Sequence, residues 1–211
     1  MFKGSIVALV TPFKNGKIDE AALERIVEFH IANGTDALIP CGTTGESATM
    51  SHEEDIYVVK RVIEITNKRI PVIAGAGSNN TAEALMLTEA AKKNGADGAL
   101  LVVPYYNKPT QEGMYQHYKK IADEVSLPIV MYNVPGRTGV NMMPETAVRL
   151  SKISNIVAIK EASGTVDNTM HILREAPDFT VLSGDDGITF PLMALGAKGV
   201  ISVAANVIPK E

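Results

Sequence analysis

Eight short aliphatic runs recur along this chain, each bounded by Gly, Pro or Asn: Ser5–Val10, Ala37–Pro40, Ile70–Ala74, Ala99–Val103, Pro128–Tyr132, Ile156–Ile159, Thr180–Leu182 and Val200–Val203. They are too short for buried helices and rich in β-branched residues. Near-continuous apolarity without alternation marks a strand covered on both faces, which is the habit of parallel sheets. Stretches with helical period lie between most of them. Ile18–Ala32 places Leu23, Ile26, Val27 and His30 on one side, and Glu53–Ile65 does the same with Ile56, Val59, Val62 and Ile63. Strands alternating with helices leave an open doubly wound sheet or a closed (β/α)8 barrel, and eight strands favour the TIM barrel.

Local signals agree with this alternation. Ser51 and Glu54 have the spacing of a capping box, and Thr81 and Thr110 are predicted N-caps. The segments Asn33-Gly34-Thr35-Asp36-Ala37, Asn94-Gly95-Ala96-Asp97-Gly98 and Leu195-Gly196-Ala197-Lys198-Gly199 echo one another. Each reads as a helix stopped by a left-handed glycine, then a turn, then a strand. No linker or low-complexity tract divides the chain, so residues 1–211 are read as one barrel domain. The chain stops only a few residues past the eighth run, so the reading is a barrel truncated after strand eight, with the outer face of that strand uncovered.

Composition removes other classes. The net charge is −4 with basic residues scattered, so no nucleic-acid face is expected. The single cysteine, Cys41, excludes an internal disulfide, and no apolar run is long enough for a leader or a membrane span, which points to a soluble cytoplasmic protein. Gly75-Ala76-Gly77-Ser78-Asn79-Asn80 lacks the third glycine of a dinucleotide fingerprint and follows the third strand rather than the first. His30, His52, His117 and His171 have no ligand spacing, so no metal site is expected.

Barrel active sites gather at the carboxyl ends of the strands, which makes the polar residues there a candidate list: Thr11; Thr43 and Thr44; Gly75 and Ser78; Tyr105 and Tyr106; Tyr132 and Asn133; Lys160 and Glu161; Ser183, Gly184 and Asp185; Asn206. Lys160 ends a buried run. Burial disfavours the ammonium and frees the amine for attack on a carbonyl, unless the side chain reaches solvent or pairs with Glu161. Tyr132 ends the neighbouring run, as a proton carrier beside that amine or as a wet rim tyrosine. Thr43 and Thr44 sit in a glycine-flanked turn whose backbone N–H groups either hold a carboxylate or serve the turn itself. Arg137, after Pro135-Gly136, is either a fork for a second carboxylate or a solvated surface group.

Gly42-Thr43-Thr44-Gly45-Glu46, Tyr132-Asn133-Val134-Pro135-Gly136-Arg137-Thr138-Gly139 and Ile159-Lys160-Glu161-Ala162-Ser163-Gly164, with Pro104-Tyr105-Tyr106-Asn107 and Ser183-Gly184-Asp185-Asp186 between them, resemble the dihydrodipicolinate synthases. These are pyruvate-dependent class I aldolases related to N-acetylneuraminate lyase. The resemblance runs in order from Gly4 to Asn206. It implies a pyruvate imine on Lys160 that condenses with L-aspartate 4-semialdehyde to give hydroxy-tetrahydrodipicolinate, a step of lysine and diaminopimelate biosynthesis, with no cofactor. It further implies a proton relay of Tyr132, Thr43 and Tyr106, the last reaching a neighbouring subunit of a tetramer built from tight dimers. The Thr43 and Thr44 amides would hold pyruvate, Arg137 the semialdehyde carboxylate, and the backbones of Gly184 and Ile201 would line the lysine. Ser47, Ala48, His52, Asn79, Glu83 and Tyr105 match an effector site for lysine, with Asp55 where an inhibited type has histidine. Members of the family continue past strand eight with further helices. The alternatives are a lyase for another 2-oxo acid adduct, such as N-acetylneuraminate or a keto-deoxy sugar acid, and an inert barrel that only binds small carboxylates.

Overall fold

The computed structural model describes residues 2–210. Eight parallel strands close a barrel: β1 (Gly4–Ala8), β2 (Ala37–Ile39), β3 (Ile73–Gly75), β4 (Gly98–Val102), β5 (Ile129–Asn133), β6 (Ile156–Glu161), β7 (Thr180–Ser183) and β8 (Gly199–Ser202). Each strand pairs with its sequence neighbours, and β8 returns to β1 through Gly4↔Gly199 to Val7↔Ser202. The bridge Leu38↔Val72 joins β2 to the start of β3. All eight predicted strands exist in order, with ends shifted by at most three residues.

Helices α1 (Glu20–Ala32), α2 (His52–Thr66), α3 (Thr81–Asn94), α4 (Gln111–Glu124), α5 (Pro144–Leu150), α6 (Asp167–Glu175) and α7 (Thr189–Ala194) follow β1 to β7 in turn. The Ser51–Glu54 capping box forms with both of its hydrogen bonds, and Thr110 caps α4 as expected. Two predictions fail locally. Asn80, not Thr81, caps α3 through its side chain, because an Asx oxygen reaches the Ala82 N–H from one residue earlier. Ile18 is outside α1, since Asp19 caps that helix and Ile18 ends a small hairpin, Phe13–Lys14 against Lys17–Ile18. The hairpin turns on Asn15-Gly16, both with positive φ. The repeated glycines behave as expected: Gly34, Gly95 and Gly196 all have positive φ at helix ends.

Side chains alternate between two apolar layers. Ile6, Ile39, Ile73, Leu100, Val130, Ala158, Leu182 and Ile201 fill the barrel interior. Val7, Leu38, Ala74, Leu101, Met131, Ile159 and Val181 face the helices, meeting Leu23, Val27, Val59, Val62 and Ile121. Each of the Val, Leu, Ile and Met side chains among them contributes about 1.5–3 kcal/mol on burial. Alternation slips once, in β6: Ile129 pairs with Ile156 but Val130 pairs with Ala158, so Val157 is bulged out of the ladder. On the flank of β8, the chain enters a 3-10 turn at Ala204–Asn206, and Phe190, Val207 and Ile208 are exposed there.

Candidate functional site

Lys160 and Tyr132 are register partners on β6 and β5, one residue before the end of each strand. The parity set after the bulge turns Lys160 into the barrel, and the regular alternation of β5 turns Tyr132 the same way. Lys160 is only 5% exposed, and its Nζ lies 4.3 Å from the centre of the Tyr132 ring. Glu161, the alternative partner considered for the lysine, faces the opposite way and is buried against Asn133. Lys160 therefore neither reaches solvent nor pairs with Glu161.

Above this pair opens a cavity of about 370 Å³ lined by Thr43, Thr44, Tyr132, Arg137, Lys160 and Gly184, among others. Burial pulls the Lys160 ammonium down to about 8, opposed by the Asp186 carboxylate and assisted by the Arg137 charge. Burial pushes the Tyr132 phenol up, while Arg137 and the nearby Thr43 hydroxyl draw it partly back. A cation beside the ring face is also favoured by the ring quadrupole, so the Tyr132 ring works against loss of the lysine proton.

The turn after β2 owes its shape to packing. Cys41 and Glu46 take positive φ, and the Thr11 hydroxyl donates to the Gly45 carbonyl at 2.7 Å. Gly45 and Glu46 N–H groups donate back to Gly42 and Thr43 carbonyls. Among the described residues, the N–H groups of Thr43 and Thr44 have no protein acceptor, and both residues line the cavity. Two adjacent amides left unbonded at the mouth of a cavity are a seat for a carboxylate. Gly75 and Gly77 are explained without a nucleotide: a β-carbon on either would collide with backbone, at the Cys41 carbonyl and the Val102 nitrogen respectively. Gly184 must also lack a side chain, because a β-carbon there would stand 2.9 Å from Cγ and Cε of Lys160.

Arg137 rides a single helical turn, Pro135–Thr138, stopped by Gly139 in the left-handed conformation. It is exposed, forms no salt bridge among the described residues, and borders both this cavity and a second one of about 580 Å³. The second cavity is lined by Ser47, Ala48, His52, Glu83 and Tyr105, but not by Asn79. It also meets Asp55, whose carboxyl burial raises to about 6. Tyr106 stands on the rim with φ of 68° and 87% of its surface exposed, away from the Tyr132–Lys160 cavity. The Ile201 side chain lies in the interior layer, and Val203, two residues on, borders the cavity.

Asp186 is the site residue that the sequence reading missed. It borders the cavity, and its Oδ2 accepts the N–H groups of Val203 at 3.1 Å and Ala204 at 3.0 Å. Burial would raise its carboxyl, but those amides, the Ser202 hydroxyl and the Lys160 charge hold it below the usual range. The available signal was a pair of aspartates just past a strand-end glycine. Among the described residues, no three His, Cys, Asp or Glu side chains gather as a metal site would need, and no helix is long and apolar enough to cross a membrane.

The chain resembles known proteins along its whole length. The model of the dihydrodipicolinate synthetase family matches residues 1–211. The 4-hydroxy-tetrahydrodipicolinate synthase of Geotalea uraniireducens is 63% identical over the whole chain, which spans 73% of that relative's length. The enzyme of the same name from Geobacter sulfurreducens is 64% identical, again over the whole chain and 73% of the relative. Among solved structures, the chloride-inhibited dihydrodipicolinate synthase of Acinetobacter baumannii complexed with pyruvate superposes with a TM-score of 0.97 at 55% identity, covering 100% of this chain and 73% of that one. A dry lysine at the end of the sixth barrel strand, a phenol beside it and this likeness over the full chain have one explanation: the chain belongs to the dihydrodipicolinate synthetase family.

Proposed function

We propose that this chain catalyses the 4-hydroxy-tetrahydrodipicolinate synthase reaction in lysine and diaminopimelate biosynthesis, with Lys160 as the Schiff-base residue. The observation that carries the reading is the buried Lys160 amine facing Tyr132 under the unbonded amides of Thr43 and Thr44. The amides hold the carboxylate of pyruvate, which aims its keto carbon at Nζ. The neutral amine adds to that carbon and water leaves, giving an imine. The imine nitrogen then draws electrons from C3, a proton is lost there, and an enamine forms. The enamine carbon attacks the aldehyde of L-aspartate 4-semialdehyde, whose carboxylate Arg137 receives at the mouth of the cavity. The substrate's own amine next displaces Lys160 from the imine carbon, closing the ring and restoring the enzyme. Tyr132, with Thr43 beside it, passes the protons. The chemistry draws on no metal or organic cofactor.

Tyr106 supports an assembled form. An aromatic side chain held outward in a strained conformation fits a role inside a neighbouring subunit's site, completing the relay of Tyr132 and Thr43 within a homo-oligomer. The residues bordering the second cavity support its use by an amino-acid effector such as lysine, with Asp55 taking part. We place the enzyme in the cytoplasm.

Pyruvate with borohydride should add the mass of the reduced adduct to Lys160 and to nothing in Lys160→Ala. An unlabelled wild type would sink the reading and leave an inert carboxylate-binding barrel. A coupled assay offering aspartate semialdehyde or N-acetylneuraminate then separates synthase from lyase.

A further inference from the structure

Behind the catalytic pair, on the helix-facing side of the barrel, lies a second pair one residue farther along the same strands. Asn133 and Glu161 are register partners next to Tyr132 and Lys160, and they are 0% and 1% exposed. Every hydrogen-bonding atom of the two side chains is used. Asn133 Nδ2 donates to Glu161 Oε2 at 3.1 Å and to Asn141 Oδ1 at 2.8 Å, while its Oδ1 accepts the Met142 N–H at 2.9 Å. Glu161 Oε1 accepts the Ser163 N–H at 2.7 Å. The backbones continue the lattice: Asn133 O accepts from Ala162 N–H, and Glu161 O accepts from Gly184 N–H at 2.8 Å.

This small lattice ties together the parts that the chemistry must keep in register. The Asn141–Met142 segment closes the loop that carries Arg137. The Ser163 bond fixes the chain leaving β6. Gly184, held by the Glu161 carbonyl, packs on the Lys160 stem. A hydrophobic side chain would fill the same space, so packing alone does not ask for a carboxylate there, and a buried acid with an incomplete shell is costly.

We propose that Asn133 and Glu161 are positioning residues, a clamp that sets the Tyr132–Lys160 register and the Arg137 loop together from outside the cavity. The proposal rests on the Schiff-base reading above. Neither residue touches substrate, so the clamp acts through placement, where an error near 1 Å in a reacting group costs about a hundredfold in rate.

The test uses the full chain and three variants: Asn133→Asp, Glu161→Gln and the two combined. Asn133→Asp sets two carboxylates against each other, and Glu161→Gln faces an amide with an amide. The double variant restores a donor against an acceptor with the charge moved one strand over, and Asn141 can rotate its amide to follow. Each single variant should slow borohydride trapping of the pyruvate imine about tenfold or more and raise the KM for the aldehyde substrate, with the double variant recovering most of both. Thermal unfolding is followed in parallel. If the single variants unfold earlier yet trap pyruvate and bind aldehyde as the wild type does, the residues are structural and the clamp is refuted. A double variant no better than the worse single refutes it as well. If Asn133→Asp does not fold, the half-buried Asn141→Ala loosens the same lattice and should raise the aldehyde KM; an unchanged KM counts against the clamp. Failure of the wild type to be labelled would bring down the Schiff-base reading itself, which separates the two outcomes.

Discussion

The acidity of Lys160 sets how fast the imine can form near neutral pH. An amine at its ordinary value of 10.5 is neutral in about one molecule in three thousand at pH 7, whereas one at about 8 is neutral in about one in ten. Burial of this one side chain therefore raises the reactive fraction about 300-fold. The assay is rapid mixing with pyruvate from pH 6 to 10, each aliquot reduced with borohydride at one common pH and counted as modified Lys160 by mass. The initial rate should rise about tenfold per pH unit below 8 and flatten above it. Asp186→Asn removes the negative charge that favours the ammonium, so the midpoint should move to lower pH and the rate at pH 6.5 should rise about two- to fivefold. A rate that keeps climbing to pH 10 would mean that the amine is wet. A midpoint moving upward in Asp186→Asn would mean that the carboxylate does not act on it.

Other perturbations test the same structure. The depressed lysine is a stability cost that is fully present below pH 8 and shrinks as pH rises towards 10.5. Lys160→Met should therefore abolish labelling while stabilising the fold at pH 7 by on the order of 3 kcal/mol, read in urea, with a smaller gain at pH 10. Gly184→Ala forces a β-carbon to 2.7 Å from Ala162 Cβ as well as against the lysine, so we expect a loss of about 1–3 kcal/mol and trapping slowed at least tenfold; wild-type trapping would show that the stem has room. Burial raises the Asp55 carboxyl to about 6, so folding favours its protonated form over its charged one, and the stability it lends below pH 3.8 is lost as pH rises through 6. Asp55→Asn should stabilise the protein at pH 7.5 by roughly 1–3 kcal/mol and much less at pH 4, and an equal gain at both would disprove the buried charge.

The strands were legible because burial on both faces writes them as unbroken aliphatic runs, and the helices because their caps are local chemistry. Errors fell where two local signals compete. Asn80 and Thr81 both offer a capping oxygen, and only the backbone path decides between them. The Asn15-Gly16 hairpin had a readable turn signal that the helical pattern after it obscured. Lys160, Tyr132, Thr43 and Thr44 border one cavity because strand ends in a barrel converge whatever their distance in sequence. Glu161 faces the helices because it lies one step of alternation past Lys160, a parity that the bulge at Val157 fixes and a run of apolar residues does not reveal. Asp186 was passed over because its part depends on the loop after β8, which bonds it through Val203 and Ala204.

The bulge at Val157 has a consequence for how this enzyme tolerates change. A β-strand counts in twos, and the sixth strand holds one residue more than its neighbour can match. A chain lacking Val157 would simply run flush, with the amine still pointing inward, so a one-residue loss there is survivable in a way that is rare for a central strand. A one-residue gain has no such slack to use: it must build a second irregularity or turn the nitrogen out among the helices.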